Sequence, residues 1–232
     1  MATSMVVENT FGQAWQRPCV DLVRESGLGV TINLAAGQTV VVEGDPIDNV
    51  YLIVSGSLRL YKAVADGRRQ IIDFLGPKDC LGLTGLGHHA YSAEAITDVV
   101  MIRYPHRRLE TLIEANPEFG HSLFRLACSE LGRAQQRMLA LGRKSAEERV
   151  ASFLLDLANR QWDAGTNGTD VHLAMSRQDI ADHLGLTIET VSRIFTRFKV
   201  AGMIHLPDRH AVVLSDVERL ANLADGDEFA AC

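Results

Sequence analysis

The sequence predicts an α+β chain: an antiparallel β domain first, then a long helix, then a winged helix-turn-helix. Three observations carry this. Short β-branched runs punctuated by glycines fill residues 30–104, a helical apolar period takes over after Asn116-Pro117, and Met175–Ile204 carries caps, apolar faces and glycines at the spacing of two short helices joined by a tight turn.

The chain has 232 residues, room for one large domain or two ordinary ones, and its 47% hydrophobic and 22% charged content supports packed cores without disulfides. Cys19, Cys80, Cys128 and Cys232 contain no C-x-x-C pair, which reads as reduced thiols and a cytoplasmic location. No charged start leads into an apolar stretch, and runs such as 49–54 and 99–102 are too short to span a bilayer, so no membrane partner is expected. The net charge of −6 argues against a nucleic-acid partner only until its distribution is considered. After Leu214 stand Asp216, Glu218, Asp225, Asp227 and Glu228 against Arg219 alone, whereas Ser192–Val200 holds Arg193, Arg197 and Lys199 without an acid.

In chain order, residues 1–27 read as a lead-in with a short helix around Trp15 and Val20–Val23. Residues 28–115 read as the β domain, with strands at Thr39–Glu43, Val50–Val54, Ser57–Lys62, Gln70–Phe74 and Val99–Tyr104. Their even spacing and Gly-bearing turns point to a sandwich or barrel of antiparallel pairs, with an unrelated β meander as the alternative. Asp66-Gly67 is the clearest hairpin turn. Residues 116–142 form a helix in which Phe124, Ala127, Leu131, Ala134, Met138 and Leu141 recur at heptad spacing. The stripe either pairs two subunits or packs on its own domain. Gly142 and Ser145 interrupt it, and a second helix runs from Ala146 to about Trp162 with Val150, Phe153, Leu154, Leu157 and Ala158 inward. A loop at Asp163–Asp170 precedes the last folded unit. Residues 143–220 make the winged helix-turn-helix, and 221–232 an acidic tail.

Within that unit, Ser176 followed by Asp179 is a helix start, and Ile180, Ala181 and Leu184 mark an apolar face. Gly185 suits a tight turn that needs positive φ. Thr187 caps the next helix, Val191, Ile194 and Phe195 face inward, and Gly202 closes it. A purely structural αα-hairpin is the alternative, but six concordant positions favour DNA binding. Glu189, Ser192 and Arg193 then lie outward near the helix start, where bases are read. A guanidinium can donate twice to guanine and a carboxylate can accept from cytosine N4; Glu189 also suits the positive end of a helix dipole, and both roles can coexist. Arg177, Thr190, Arg197 and Lys199 are the candidate phosphate contacts. Pro207-Asp208-Arg209-His210 lies between two apolar runs as the tip of a wing, with Arg209 and His210 as either backbone contacts or solvated loop residues.

At this point the chain resembles the cyclic-AMP receptor protein superfamily, specifically its FNR/FixK branch, over residues 28–220 or so. The most specific run is MSRQDIADHLGLTIETVSRIFTRFKVAGMI, in which the branch's E-x-x-S-R pattern falls on Glu189, Ser192 and Arg193; GHHAYSAEAI and KSAEERVASFLLDLA are similar to the branch as well. The resemblance implies a double-stranded β-roll of the cyclic-nucleotide-binding type, a long dimerisation helix and a winged helix-turn-helix. It further implies a homodimer that reads inverted repeats of TTGAT-N4-ATCAA type in double-stranded DNA, engages RNA polymerase, and mainly activates genes of low-oxygen metabolism or nitrogen fixation.

The departures concern what is sensed. Where cyclic-nucleotide binders carry Gly-Glu and Arg-Ser, this chain has Gly82-Leu83 and Tyr91-Ser92, so the ribose carboxylate and the phosphate cation are both replaced. Iron–sulfur members cluster cysteines near the N-terminus, and only Cys19 stands there. His88-His89 is the place to look for a haem ligand, with surface or structural histidines the plainer reading. The expectation is a FixK-like regulator with no cofactor, controlled by synthesis, turnover or a thiol. Phe229–Cys232 is a candidate degradation tag; Cys80 and Cys128 are either redox switches or buried small hydrophobes. A regulator gated by ligand, haem or thiol redox is the alternative. No nucleophile–base pair, phosphate-cradling loop or metal-ligand spacing stands out, and Asp21, Glu43, Asp45 and Asp48 are scattered, so an enzyme is not expected.

Overall fold

The computed structural model describes residues 29–63, 69–83, 87–163 and 168–226. The lead-in, the Asp66-Gly67 turn, Cys19 and Phe229–Cys232 fall outside the described residues. Two compact units divide within the long helix, one reaching Gly132 and the other starting at Arg133.

Among the described residues the first unit holds eight strands: β1 (Val30–Leu34), β2 (Thr39–Val41), β3 (Asn49–Ser55), β4 (Leu58–Ala63), β5 (Arg69–Leu75), β6 (Cys80–Leu81), β7 (Ser92–Ala95) and β8 (Val99–Pro105). They form two four-stranded antiparallel sheets, ordered β1-β8-β3-β6 and β2-β7-β4-β5. Both sheets supply one core: Ile53, Leu81, Val99 and Met101 from the first meet Val41, Leu58, Leu60, Leu75, Ala93 and Ala95 from the second. The opposite face of β3 and β8, through Val50, Leu52 and Tyr104, packs on Leu109 and Phe119. Those two strands are therefore buried on both faces, which is why they read as continuous apolar runs rather than alternating ones. Gly56, between β3 and β4, has φ of 86°, and a Cβ there would collide with the Asp98 carbonyl; only glycine fits so close a return.

Helix α1 (His106–Ala115) follows, burying Leu109. The charged start His106-Arg107-Arg108 conceals it in the sequence, and it was not expected. Helix α2 (Pro117–Arg143) then runs 27 residues, as its apolar period predicts.

The second unit adds α3 (Ala146–Asp163), β9 (Asp170–His172), α4 (Arg177–Leu184), α5 (Ile188–Val200), β10 (Ile204–His205), β11 (Ala211–Leu214) and α6 (Val217–Asp225). Val150, Phe153, Leu154, Leu157 and Ala158 of α3 are buried as predicted. Strand β9, which starts at the end of the expected Asp163–Asp170 loop, joins the wing to give a three-stranded sheet ordered β10-β11-β9. The side chain of Gln161 brackets His172 in β9, donating to its carbonyl at 2.6 Å and accepting from its N–H at 2.7 Å. Residues 221–225, expected within an acidic tail, instead complete α6, whose Leu220, Leu223 and Ala224 are buried. Asp216 caps α6 through the Arg219 N–H at 2.9 Å.

Candidate nucleic-acid interface

Local chemistry fixes the two helices that matter. Ser176 and Asp179 form a reciprocal capping box on α4: the Asp179 N–H donates to Ser176 Oγ at 3.1 Å and the Ser176 N–H donates to Asp179 Oδ2 at 3.1 Å. Gly185 ends α4 with φ of 65°, the left-handed conformation that favours glycine. Thr187 caps α5 by accepting from the Thr190 N–H at 3.2 Å, and its hydroxyl also lies 3.1 Å from that of Thr190. Helix α5 buries Val191, Ile194, Phe195 and Phe198. Its end is closed by the Met203 N–H donating to the Phe198 carbonyl at 2.9 Å and by Arg219, which donates to the Ala201 carbonyl at 3.1 Å. Both ends of the helix thus have groups satisfied from outside its own ladder.

The other side of α5 is open. Glu189, Ser192, Arg193, Thr196, Arg197, Lys199 and Val200 are exposed. Glu189, Arg193, Thr196 and Val200 fall along one line at helical spacing, flanked by Ser192 and Lys199 on one side and by Thr190 and Arg197 on the other. Thr196 and Val200 were missed in the sequence; continuing the spacing from Glu189 and Arg193 would have found them. The Glu189 carboxyl is held below the usual carboxylate range, first by a backbone N–H at the helix start, then by the Thr187 hydroxyl, with Arg193 adding attraction. It therefore stays an acceptor at neutral pH. Arg193 is exposed and has no hydrogen-bond or ion-pair partner among the described residues.

The cations expected at phosphates are placed differently from one another. Lys199 is exposed. Arg197 is paired with Glu147 in the first turn of α3. Arg177, expected to be presented outward, lies flat on the Phe195 ring with its guanidinium carbon 3.6 Å from the ring centroid, and burial pushes its pKa down. It clamps α4 to α5, a stacking role suited to a planar cation. The wing tip carries Arg209 and His210, both exposed.

Along α2 the predicted apolar stripe is uncovered: Phe124, Leu131 and Met138 are 68%, 60% and 66% exposed, and Leu141 is exposed beside them. Ala127 and Ala134 are exposed on the same stripe.

In the β domain, the position where a phosphate cation would stand holds Tyr91, packed partly into the sandwich core. Its hydroxyl pKa is raised by burial and by the neighbouring Asp73 carboxylate. Ser92 is engaged in accepting from the Glu43 N–H at 3.0 Å. His88 is exposed, and His89 is buried with its main chain bonded to Asp45 and Gly44. Burial lowers the His89 pKa, and Asp45 opposes that in part. Cys80 is half-buried and Cys128 exposed, so Cys128 is not the buried small hydrophobe it could have been. No group of three or more His, Cys, Asp or Glu side chains comes together as a metal-ligand set among the described residues, and no described helix is long and apolar enough to cross a membrane.

Known proteins match both halves of this arrangement. Residues 31–116 match the cyclic nucleotide-binding domain family and residues 148–223 the Crp-like helix-turn-helix domain family. The nitrogen fixation regulation protein FixK of Azorhizobium caulinodans is 43% identical over 199 residues, covering 85% of this chain and 80% of that protein. The transcriptional activator protein anr of Pseudomonas aeruginosa is 37% identical, covering 83% and 80%. The structure of FixK2 from Bradyrhizobium japonicum superposes with a TM-score of 0.79 at 36% identity, over 88% of this chain and 99% of that one. A two-sheet β domain and a capped helix-turn-helix in one chain, with relatives of this extent, place the chain in the CRP/FNR family of DNA-binding transcription regulators as a FixK-like member.

Proposed function

We propose that the protein is a homodimeric regulator, mainly an activator, that reads an inverted repeat of TTGAT-N4-ATCAA type and controls genes of low-oxygen metabolism by engaging RNA polymerase. The observation that carries this reading is the exposed line of Glu189 and Arg193 on a helix whose opposite face is fully packed. Arg193 has the donors for guanine O6 and N7, Glu189 is a permanent acceptor for cytosine N4, and Ser192 beside them supplies a hydroxyl. Lys199, Thr190 and Arg197 flank that line where phosphates would run, and they set register rather than sequence.

The homodimer is supported by the uncovered stripe on α2. Phe124, Leu131, Met138 and Leu141 in water are a cost that pairing with a second copy removes, and Ala127 and Ala134 allow close approach. A twofold dimer presents its recognition helices about 34 Å apart, one DNA turn, as an inverted repeat requires.

We further propose that neither a cyclic nucleotide nor a cluster is needed. The residues present do not fit a cyclic phosphate: Tyr91 and the buried Asp73 offer a neutral hydroxyl and a negative charge where a cation is required. The decisive experiment is a titration of the purified protein, without additives, on the TTGAT-N4-ATCAA duplex and on a scrambled one. Tight, selective binding is expected, and equal affinity for the two duplexes would overturn the reading. A thiol-gated version of the same regulator is favoured by the exposure of Cys128; binding that is lost on oxidation and restored by reductant would select it.

A further inference from the structure

Arg149, in α3, uses all three nitrogens of its guanidinium on main-chain carbonyls from different places. Its Nε donates to the Lys144 carbonyl at 2.9 Å, one terminal nitrogen to the Leu141 carbonyl at 2.8 Å, and the other to the Leu184 carbonyl at 3.1 Å. Leu141 lies in the last turn of α2, Lys144 follows that helix, and Leu184 is the last residue of α4. These carbonyls belong to helix ends, where no intrahelical donor remains. One planar cation therefore closes the end of the long helix and the end of the first helix of the helix-turn-helix together, and it suits the negative pole of both. The turn itself rests on the same spot: a Cβ on Gly185 would stand 3.8 Å from the guanidinium and 4.0 Å from a Leu141 methyl.

The surrounding joint is braced as well. Lys144 Nζ donates to Ser152 Oγ at 2.8 Å. Ser145 and Glu148 exchange hydrogen bonds across the start of α3, at 3.2 and 3.3 Å. The short link from α2 to α3 is thus tied to the first helix of the DNA-reading motif through a single side chain.

We propose that Arg149 is a positioning residue that fixes the angle between the end of α2 and the helix-turn-helix, and through it the spacing between half-sites that the protein accepts. The inference rests on the homodimer reading, because spacing has meaning only with two recognition helices held by one pair of α2 helices. Adding one base pair to the spacer moves a half-site by about 3.4 Å and turns it by about 35°. A rigid joint rejects that displacement, and a joint without its guanidinium follows it.

The test uses the full chain and the R149M and R149K variants, with duplexes whose spacers are native, one base pair shorter and one longer, plus a native-spacer duplex with a mutated half-site. Melting temperature is read on the same samples. The wild type is expected to prefer the native spacer by about tenfold, the scale of one mismatched base pair. R149M is expected to reduce that preference to about twofold while keeping its discrimination against the mutated half-site, a split that general loss of stability does not produce. R149K, a point donor that cannot span three carbonyls, is expected to fall between. A wild-type spacer preference in R149M, or in R149K if R149M does not fold, overturns the proposal. So does a parallel loss of spacer and half-site discrimination. A wild type indifferent to spacer removes the dimeric reading itself, and this inference with it.

Discussion

Removing the carboxylate of Glu147 should strengthen DNA binding. In the free protein Arg197 is held by Glu147, the arginine side chain being 70% exposed and the glutamate 27%. If Arg197 is a phosphate contact, it must leave that partner to reach DNA. With the guanidinium mostly in water the pair is worth about 0.2–1 kcal/mol, not the larger value of a buried pair. In the proposed homodimer two subunits give up about 0.4–2 kcal/mol together, so Glu147→Gln should tighten binding by about twofold to thirtyfold. The gain should appear on cognate and random duplexes alike, because phosphates carry no sequence. Salt dependence supplies a second reading. In the wild type, Glu147 left behind reacquires a cation and offsets the one released from DNA. Without it the slope of log K against log salt should steepen by up to about 0.9 per subunit. The assay is fluorescence anisotropy at several salt concentrations, with melting temperature as control; loss of an acid from the first turn of α3 together with its ion pair should cost no more than about 2 kcal/mol of stability. Unchanged affinity and slope would refute the competition. Weaker binding at unchanged stability would mean that Glu147 aims Arg197 rather than withholding it.

Arg193→Ala should cost about 1–3 kcal/mol per half-site on the cognate repeat and relax choice at one base pair, with little change in melting temperature because Arg193 is exposed and its one interaction is attraction to the exposed Glu189; an equal loss on random DNA would contradict base reading. Arg177→Ala removes a partly desolvated cation–π stack on Phe195, so it should lower stability by about 2 kcal/mol in thermal denaturation, and a merely exposed phosphate contact would leave the melting temperature alone. Leu131→Asp puts a charge into the uncovered stripe of α2; light scattering should report a monomer, and a dimer of unchanged affinity would show that the stripe is not the seam.

The helix-turn-helix was legible because its determinants are local. Ser176, Gly185 and Thr187 each do their work within a few residues, and the apolar period of α5 is set by its own packing. The β domain was legible as a class, since β-branched runs between glycines have few other uses. Its pairing was not. Short β6 and β7 carry little propensity, and β7 is a strand because it pairs between β2 and β4, with Ala93 and Ala95 buried in the sandwich core. Helix α1 was hidden by its charged start, and α6 by the acids around Leu220 and Leu223. At the candidate site, the outward position of Glu189, Ser192 and Arg193 followed from spacing alone. What spacing could not reveal is what each cation touches in three dimensions: Arg177 on Phe195, Arg197 on Glu147, and Arg149 across three helix-end carbonyls.

The most direct measurement is selection from a pool of random duplexes by the purified protein with no ligand added. Enrichment is expected for a twofold-symmetric site whose half-sites match TTGAT and ATCAA, with the enriched G·C pair lost when Arg193 is replaced. Enrichment of an unrelated or asymmetric sequence, or of none, would contradict a paired recognition helix that reads bases through Glu189 and Arg193.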